Sequence, residues 1–256
     1  MPGMNLRNWV AWMPGRETAA AWRQWARTGA PSLPGSDAGQ TVAPPPVKEI
    51  PPLLRRRAGT MGRAALHVLT RPELPYGGQS IVLCSRYGEL QRSFELQAEL
   101  AREGRVSPQQ FSMAVHNATG GLFMMAQKAS APLTALAAGE EGALAGLQEA
   151  FVELADGAEA VWLLYCEEPL PVEYCPFLDD AAQACGNAGY FAFLLECVPG
   201  DEFRLAPGVG EGEDCAVPRA ASPLDLFAFF LRPEEESICL SPRGNWMLRR
   251  TAATGA

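Results

Sequence analysis

Histidine is scarce in this chain. Only His67 and His116 occur among 256 residues, and neither lies near a cysteine pair, so a His/Cys zinc centre has no ligand set. The seven cysteines (Cys84, Cys166, Cys175, Cys185, Cys197, Cys215 and Cys239) show no CxxC spacing, and their number is odd. Several sit in or beside apolar runs, which points to reduced, buried thiols rather than a disulfide framework. No window approaches about 18 uninterrupted apolar residues, which argues against a transmembrane helix. The start, "MPGMNLRNWVAWMPGRE", lacks the basic leader, apolar middle and small-residue cleavage site of a signal peptide, so the expected location is the cytoplasm. Basic residues are outnumbered 21 to 29, and a net charge of −8 speaks against a general nucleic-acid binder, whose affinity comes from neutralising phosphates. No short-period repeat of the solenoid kind is present.

What is there suffices for a sizeable core, since 48% of the residues are apolar. The chain divides into a tryptophan-containing segment with a Pro/Gly-rich connector (1–49), a central domain (50–196) and a remainder (197–256). Trp22 and Trp25 are at helical spacing, and the four tryptophans of the first segment read as packing residues. From Ile50, "IPPLLRRRAGTMGRAALHVL" opens with Pro-Pro and predicts one amphipathic helix, with Leu54, Met61, Ala65 and Val68 against a basic face. "QSIVLCSRYGEL" predicts a buried strand, and "LQRSFELQAELAREG" a helix closed by Gly104. A further helix carries Ala118, Gly120 and Gly121, small residues that permit close backbone approach. "EAVWLLYCEE" and "GYFAFLLECV" predict buried strands, "SPLDLFAFFLR" a helix and "NWMLRR" a last strand, with an acidic loop "GVGEGED" among them. Strands with near-continuous apolar runs separated by helices predict a largely parallel sheet covered on both faces.

One stretch raises a chemical question. "APLTALAAGEEGALAGLQEAFVELADG", Ala131 to Gly157, reads as a strand turning sharply into a helix, the geometry that presents a nucleophile; yet the turn carries "GEEG". On a structural reading, Glu140 and Glu141 are acids favoured at a helix N-terminus. On a catalytic one, a carboxylate acts as base or nucleophile, which requires a positioned partner. No serine or cysteine stands in the turn. His116, in "VHNATGG", reads as a hydrogen-bonded structural residue, because a triad needs partners the sequence does not supply. The run Arg55, Arg56, Arg57 is either a solvated helix face or the footprint of an acidic partner.

The order of these pieces resembles the N-terminal half of a β-ketoacyl-acyl-carrier-protein synthase. In that family an N-x-x-A-G motif leads through a helix to Gly-Pro, a strand, the nucleophilic cysteine, a buried helix ending in Gly and the next strand. Here "NATGG" (117–121), "AP" (131–132), Leu133–Leu136, the helix, Gly157 and "VWLLYCEE" follow the pattern without a gap. On that register Glu140 stands where the nucleophile is expected; a slip of two residues would put Ala138 there. The resemblance implies an α/β, thiolase-like (ketosynthase-like) fold with a complete N-terminal half and a shortened C-terminal half. The family's two catalytic histidines have no counterpart, since both histidines lie too early in the chain. "GYFAFLLE" resembles the strand opening the second half, and "PRGNWMLRR" the closing strand.

Loss of nucleophile and histidines, with a shortened second half, is similar to the chain length factor type of subunit in aryl polyene and related type II polyketide pathways. The resemblance implies no catalysis by the chain alone, no cofactor and no metal. It implies a heterodimer with a β-ketoacyl synthase through the strand Leu133, Thr134, Ala135 and Leu136, with Asn117 beside it. It further implies an acyl-tunnel gate at Gln110, helped by Arg86 or Tyr87, and docking of acyl carrier protein on Arg56 and Arg57. Two other roles stand beside this one: decarboxylation of a malonyl thioester supported by Glu140, and a scaffold or chaperone for the ketosynthase.

Overall fold

The computed structural model describes residues 3–28, 43–177, 190–207, 221–241 and 246–251. One eight-stranded sheet runs through it, in the order β3-β2-β4-β5-β1-β6-β8-β7. The strands are β1 (Met4–Trp12), β2 (Ser80–Cys84), β3 (Leu133–Leu136), β4 (Val161–Glu167), β5 (Phe191–Pro199), β6 (Phe203–Pro207), β7 (Ser237–Cys239) and β8 (Trp246–Arg250). The helices are α1 (Ala19–Thr28), α2 (Pro52–Arg55), α3 (Thr60–Leu69), α4 (Leu90–Glu103), α5 (Pro108–Phe111), α6 (Ala118–Gln127), α7 (Gly142–Ala155) and α8 (Pro223–Leu231).

Helices cover both faces of the sheet. On one side α1, α7 and α8 bury Trp22, Leu147, Phe151 and Phe227 against Leu163, Phe193 and Leu195. On the other, α3 and α6 bury Met61, Leu66, Leu122 and Phe123 against Ile81, Trp162, Leu164 and Leu194. Strand β4 is buried at every position. Its odd-numbered side chains enter the first core and its even-numbered ones the second, as the two-residue period of a strand requires.

Three expectations need correction. The sheet is mixed: β2 pairs in parallel with β3 and β4, whereas the pairings from β4 onward, through β5, β1, β6, β8 and β7, are antiparallel. The apolar runs of β4 and β5 report burial on both faces, and burial does not fix strand direction. The helix expected from Ile50 is broken into α2 and α3 by the turn at Arg56–Gly59, although Met61, Ala65 and Val68 are buried as anticipated. Glycine at 59 ends the periodic pattern locally. Gly120 does permit close approach, since a Cβ there would lie 2.7 Å from both Leu133 methyl carbons, but Gly121 has open space.

The sequence reading placed no strand at Met4–Trp12, yet β1 lies between β5 and β6 and pairs with β5 along nearly its whole length. Strands β6 and β7 were unforeseen too. The acidic loop 208–214, the connector 29–42 and Gly244 and Asn245 of the closing segment lie outside the described residues.

Candidate functional site

The strand-to-helix elbow forms as expected. After β3 the chain turns through Gly139, at φ +60°, into a 3-10 turn over Gly139–Glu141 and then into α7. Both glutamates therefore precede the helix. Glu141 occupies the N-cap position, but its side chain makes no capping bond; it accepts a hydrogen bond from Ser241 Oγ at 3.2 Å. Glu140 faces the end of β2, where Arg86 Nη2 lies 3.6 Å from its Oε1.

Arg86 is held from several sides. Its guanidinium lies over the Tyr87 ring, 5.2 Å from the centroid, and its backbone N–H donates to the buried carboxylate of Glu167. Ser85 Oγ donates to the other oxygen of Glu167 at 3.1 Å and accepts from the Gly88 N–H at 2.9 Å. Burial, opposed by these bonds and by Arg86, pushes the Glu167 carboxyl up to about 7.

The cleft that Arg86, Glu140 and Glu167 line, together with Cys84 and Ser222, has a volume of about 30 Å³. That is room for a water or two and not for an acyl thioester. The thiol in its wall, Cys84, is buried and its pKa is pushed up by desolvation and by Glu167, which makes it inert as a nucleophile. Because Arg86 is mostly buried and Glu140 half exposed, their truncations should differ. We expect Arg86→Met to lower unfolding free energy by about 1–2 kcal/mol and Glu140→Gln by at most about 0.5 kcal/mol, read from urea unfolding.

A second depression, about 460 Å³, lies beside the turn between α2 and α3. Here the exposed side chains of Arg56 and Arg57 meet Gln110 of α5, with Glu89, Arg92 and Glu168 in the walls. The structure thus brings Gln110 together with Arg56 and Arg57, while Arg86 lines the other cleft. Glu168 is pushed up to about 8, first by burial and then by the neighbouring charge of Glu89. The sequence reading missed both buried acids at the end of β4, and Glu89 with them. A "CEE" ending a fully apolar strand was the signal.

Leu133, Thr134, Ala135 and Leu136 form β3, an edge of the sheet. The β2 amides of Ile81 and the following Ser85 bond the carbonyls of Pro132 and Leu136. By the alternation of a parallel ladder, the backbone groups of Leu133 and Ala135 point away from β2. His116 Nε2 donates to Leu136 O at 2.9 Å, which ties the segment carrying Gln110 and Asn117 to this edge; burial lowers the pKa of that ring. Phe111, Val115 and Met125 are exposed apolar side chains on α5, on α6 and in the connection between them.

The family model for the beta-ketoacyl synthase N-terminal domain matches residues 22–247. No curated protein sequence matches. Among solved structures, a complex of a ketosynthase (ApeO) with its chain length factor (ApeC) from Xenorhabdus doucetiae contains a chain 24% identical, with a TM-score of 0.75; the alignment covers 97% of this chain and 99% of that one. The ishigamide ketosynthase/chain length factor aligns at 15% identity and a TM-score of 0.62, covering 82% of this chain and 68% of that one. A beta-ketoacyl synthase from Burkholderia phymatum STM815 aligns at 10% identity and a TM-score of 0.58, covering 84% and 67%. These likenesses establish a thiolase-like ketosynthase fold, carried in a chain shorter than the latter two. Among the described residues, no helix is long and apolar enough to cross a membrane.

Proposed function

This chain belongs to the family of β-ketoacyl synthase N-terminal domains, and from that premise we propose that it is a non-catalytic, chain length factor-like partner of a β-ketoacyl-acyl-carrier-protein synthase in the cytoplasm. The observation that carries this reading is the elbow. Where a synthase needs a thiolate to hold an acyl group, Glu140 pairs with Arg86 in a cleft of about 30 Å³. A carboxylate cannot form the thioester, and neither histidine of the chain reaches this cleft's lining.

The partner docks on the edge strand Leu133–Leu136, with Asn117 beside it. The outward backbone of Leu133 and Ala135, together with exposed Val115 in the segment that His116 ties to Leu136, supports this, because a sheet edge open among the described residues is a template for another chain. The Xenorhabdus structure holds a ketosynthase in complex with its chain length factor, which supports a pair of two different chains. Acyl carrier protein, which is acidic, docks on Arg56 and Arg57.

In this role Gln110 reaches from its segment toward the partner's acyl tunnel and limits chain length, with Arg86 and Tyr87 contributing from their own turn. A polar amide at the tunnel end opposes a long apolar chain, because burying it unpaired costs about 1–3 kcal/mol. Reconstituting the pair with Gln110→Ala should therefore shift the products toward longer chains, measured by mass spectrometry of the carrier-bound acyl groups. An unchanged distribution removes Gln110 as the gate.

A further inference from the structure

Beneath the Arg56–Gly59 turn lies a buried ion pair that neither the elbow nor the edge strand uses. Glu89 is the N-cap residue of α4, yet its carboxylate does not cap that helix. It turns instead into a slot between α3 and α6, where it is 6% exposed. Thr119 Oγ1 donates to its Oε1 at 3.4 Å, and Arg92 Nε lies 3.5 Å from its Oε2.

Two glycines make the slot. A Cβ at Gly59 would lie 2.8 Å from Glu89 Oε2 and 3.0 Å from Arg92 Nη2. One at Gly62 would lie 2.9 Å from Thr119 Oγ1 and 3.2 Å from Glu89 Oε1. Any side chain at either position thus displaces the carboxylate or its partners. A charge buried this way costs free energy unless it is paired, so the Arg92 guanidinium, whose Nε lies within ion-pair range of Glu89 without a hydrogen bond to it, is held there by charge. The free arm of that guanidinium, Nη2, donates to the backbone carbonyl of Arg57 at 3.1 Å.

The turn needs such a brace. Helix α2 is a single turn started by proline, and its C-cap is Arg56. The Arg56 and Arg57 side chains themselves are exposed. We propose that Glu89 and Arg92 are positioning residues, which fix the Arg56–Gly59 turn so that Arg56 and Arg57 present a preset pair of guanidinium groups to an acidic partner. This rests on the carrier-docking reading given above. Preorganisation is where affinity is gained, because an ordered turn has less entropy to lose on binding.

The discriminating variant is Arg92→Lys. Lysine keeps the positive charge of the groove but has no planar fork, so it cannot hold Glu89 and the Arg57 carbonyl together. Hydrogen exchange of the full chain in complex with its ketosynthase reads the turn directly, through the Arg57 and Ala58 amides, which donate to the Leu54 and Arg55 carbonyls. Binding of holo-acyl carrier protein of the same elongation system reads the consequence. Exchange of those two amides is expected to accelerate at least about fivefold in Arg92→Lys while β2 and β4 are unchanged. Carrier affinity is expected to fall by roughly fivefold to tenfold, as it does in Arg92→Met.

Wild-type exchange and wild-type carrier affinity in Arg92→Lys overturn the proposal, because then Arg92 acts only as a charge. If Arg56→Ala and Arg57→Ala leave carrier affinity unchanged while Arg92→Lys still loosens the turn, the docking reading fails and the positioning role stands. Gly59→Ala, which pushes on the same carboxylate from the other side, is expected to reproduce the loosening.

Discussion

Replacing Ala135 with proline is expected to weaken assembly with the ketosynthase roughly a hundredfold while leaving this chain folded. Ala135 lies in the middle of β3, opposite Leu83 of β2, but by ladder alternation its N–H points to the open side. Proline removes that donor and puts its ring in the path of an approaching strand. The residue before it, Thr134, is already extended, which is what a proline demands of its predecessor. Pairing within the chain uses the Pro132 and Leu136 carbonyls, which the substitution leaves in place. A loss of about 3 kcal/mol at the interface corresponds to a dissociation constant raised by roughly a hundredfold. Isothermal titration with the ketosynthase and thermal melting of the lone variant separate the two effects. Undiminished affinity in Ala135→Pro would place the interface elsewhere.

The second large effect concerns pH. Glu167 and Glu168 are adjacent on the chain and face opposite sides of the sheet, and both are buried. Burial pushes Glu167 up to about 7; burial and then the charge of Glu89 push Glu168 up to about 8. Arg86 opposes the first shift and Arg92 the second. Between the ordinary carboxylate value of 4.5 and these raised values, the folded protein binds more protons than the unfolded chain. Stability from these groups is therefore fully present below about pH 4.5 and declines as pH rises through 7 and 8.

The melting temperature should accordingly be lower at pH 9 than at pH 6. Glu168→Gln keeps an acceptor for the Gln91 N–H, which lies 3.3 Å from Glu168 Oε1, and cannot ionise. At pH 9 it should be more stable than the wild type by roughly 2–4 kcal/mol, and at pH 5 nearly equal to it. Urea unfolding at the two pH values measures this. A variant less stable at both would mean that Glu168 is ionised and paired in the native state.

These two sites show how far the sequence reaches. The elbow was legible because its information is local: Pro132, an apolar strand, glycine at 139 and a helix ending before Gly157 lie in one continuous stretch. That Glu140 lies in the turn followed from counting along that stretch. The partner of Glu140 did not, because Arg86 belongs to the turn that follows β2, the strand paired alongside, and only the sheet brings it near.

The same holds for Glu89. Nothing adjacent in sequence marks it as buried, since its slot is built by Gly59 before α3, Gly62 of α3 and Thr119 of α6. A pair of glycines opening a helix was the visible trace. Strand β1 was missed for a different reason: Trp9 and Trp12 precede a tryptophan pair at helical spacing, and a bulge between Leu6 and Asn8 interrupts the two-residue alternation.

The central claim is that this chain works only as half of a pair. Co-expression with the ketosynthase, followed by size-exclusion chromatography with mass determination and a condensation assay, tests it most directly. A one-to-one complex, with condensation requiring both chains and no acyl group ever attached to this one, is the predicted result. A lone, well-folded homodimer that ignores the ketosynthase would contradict it.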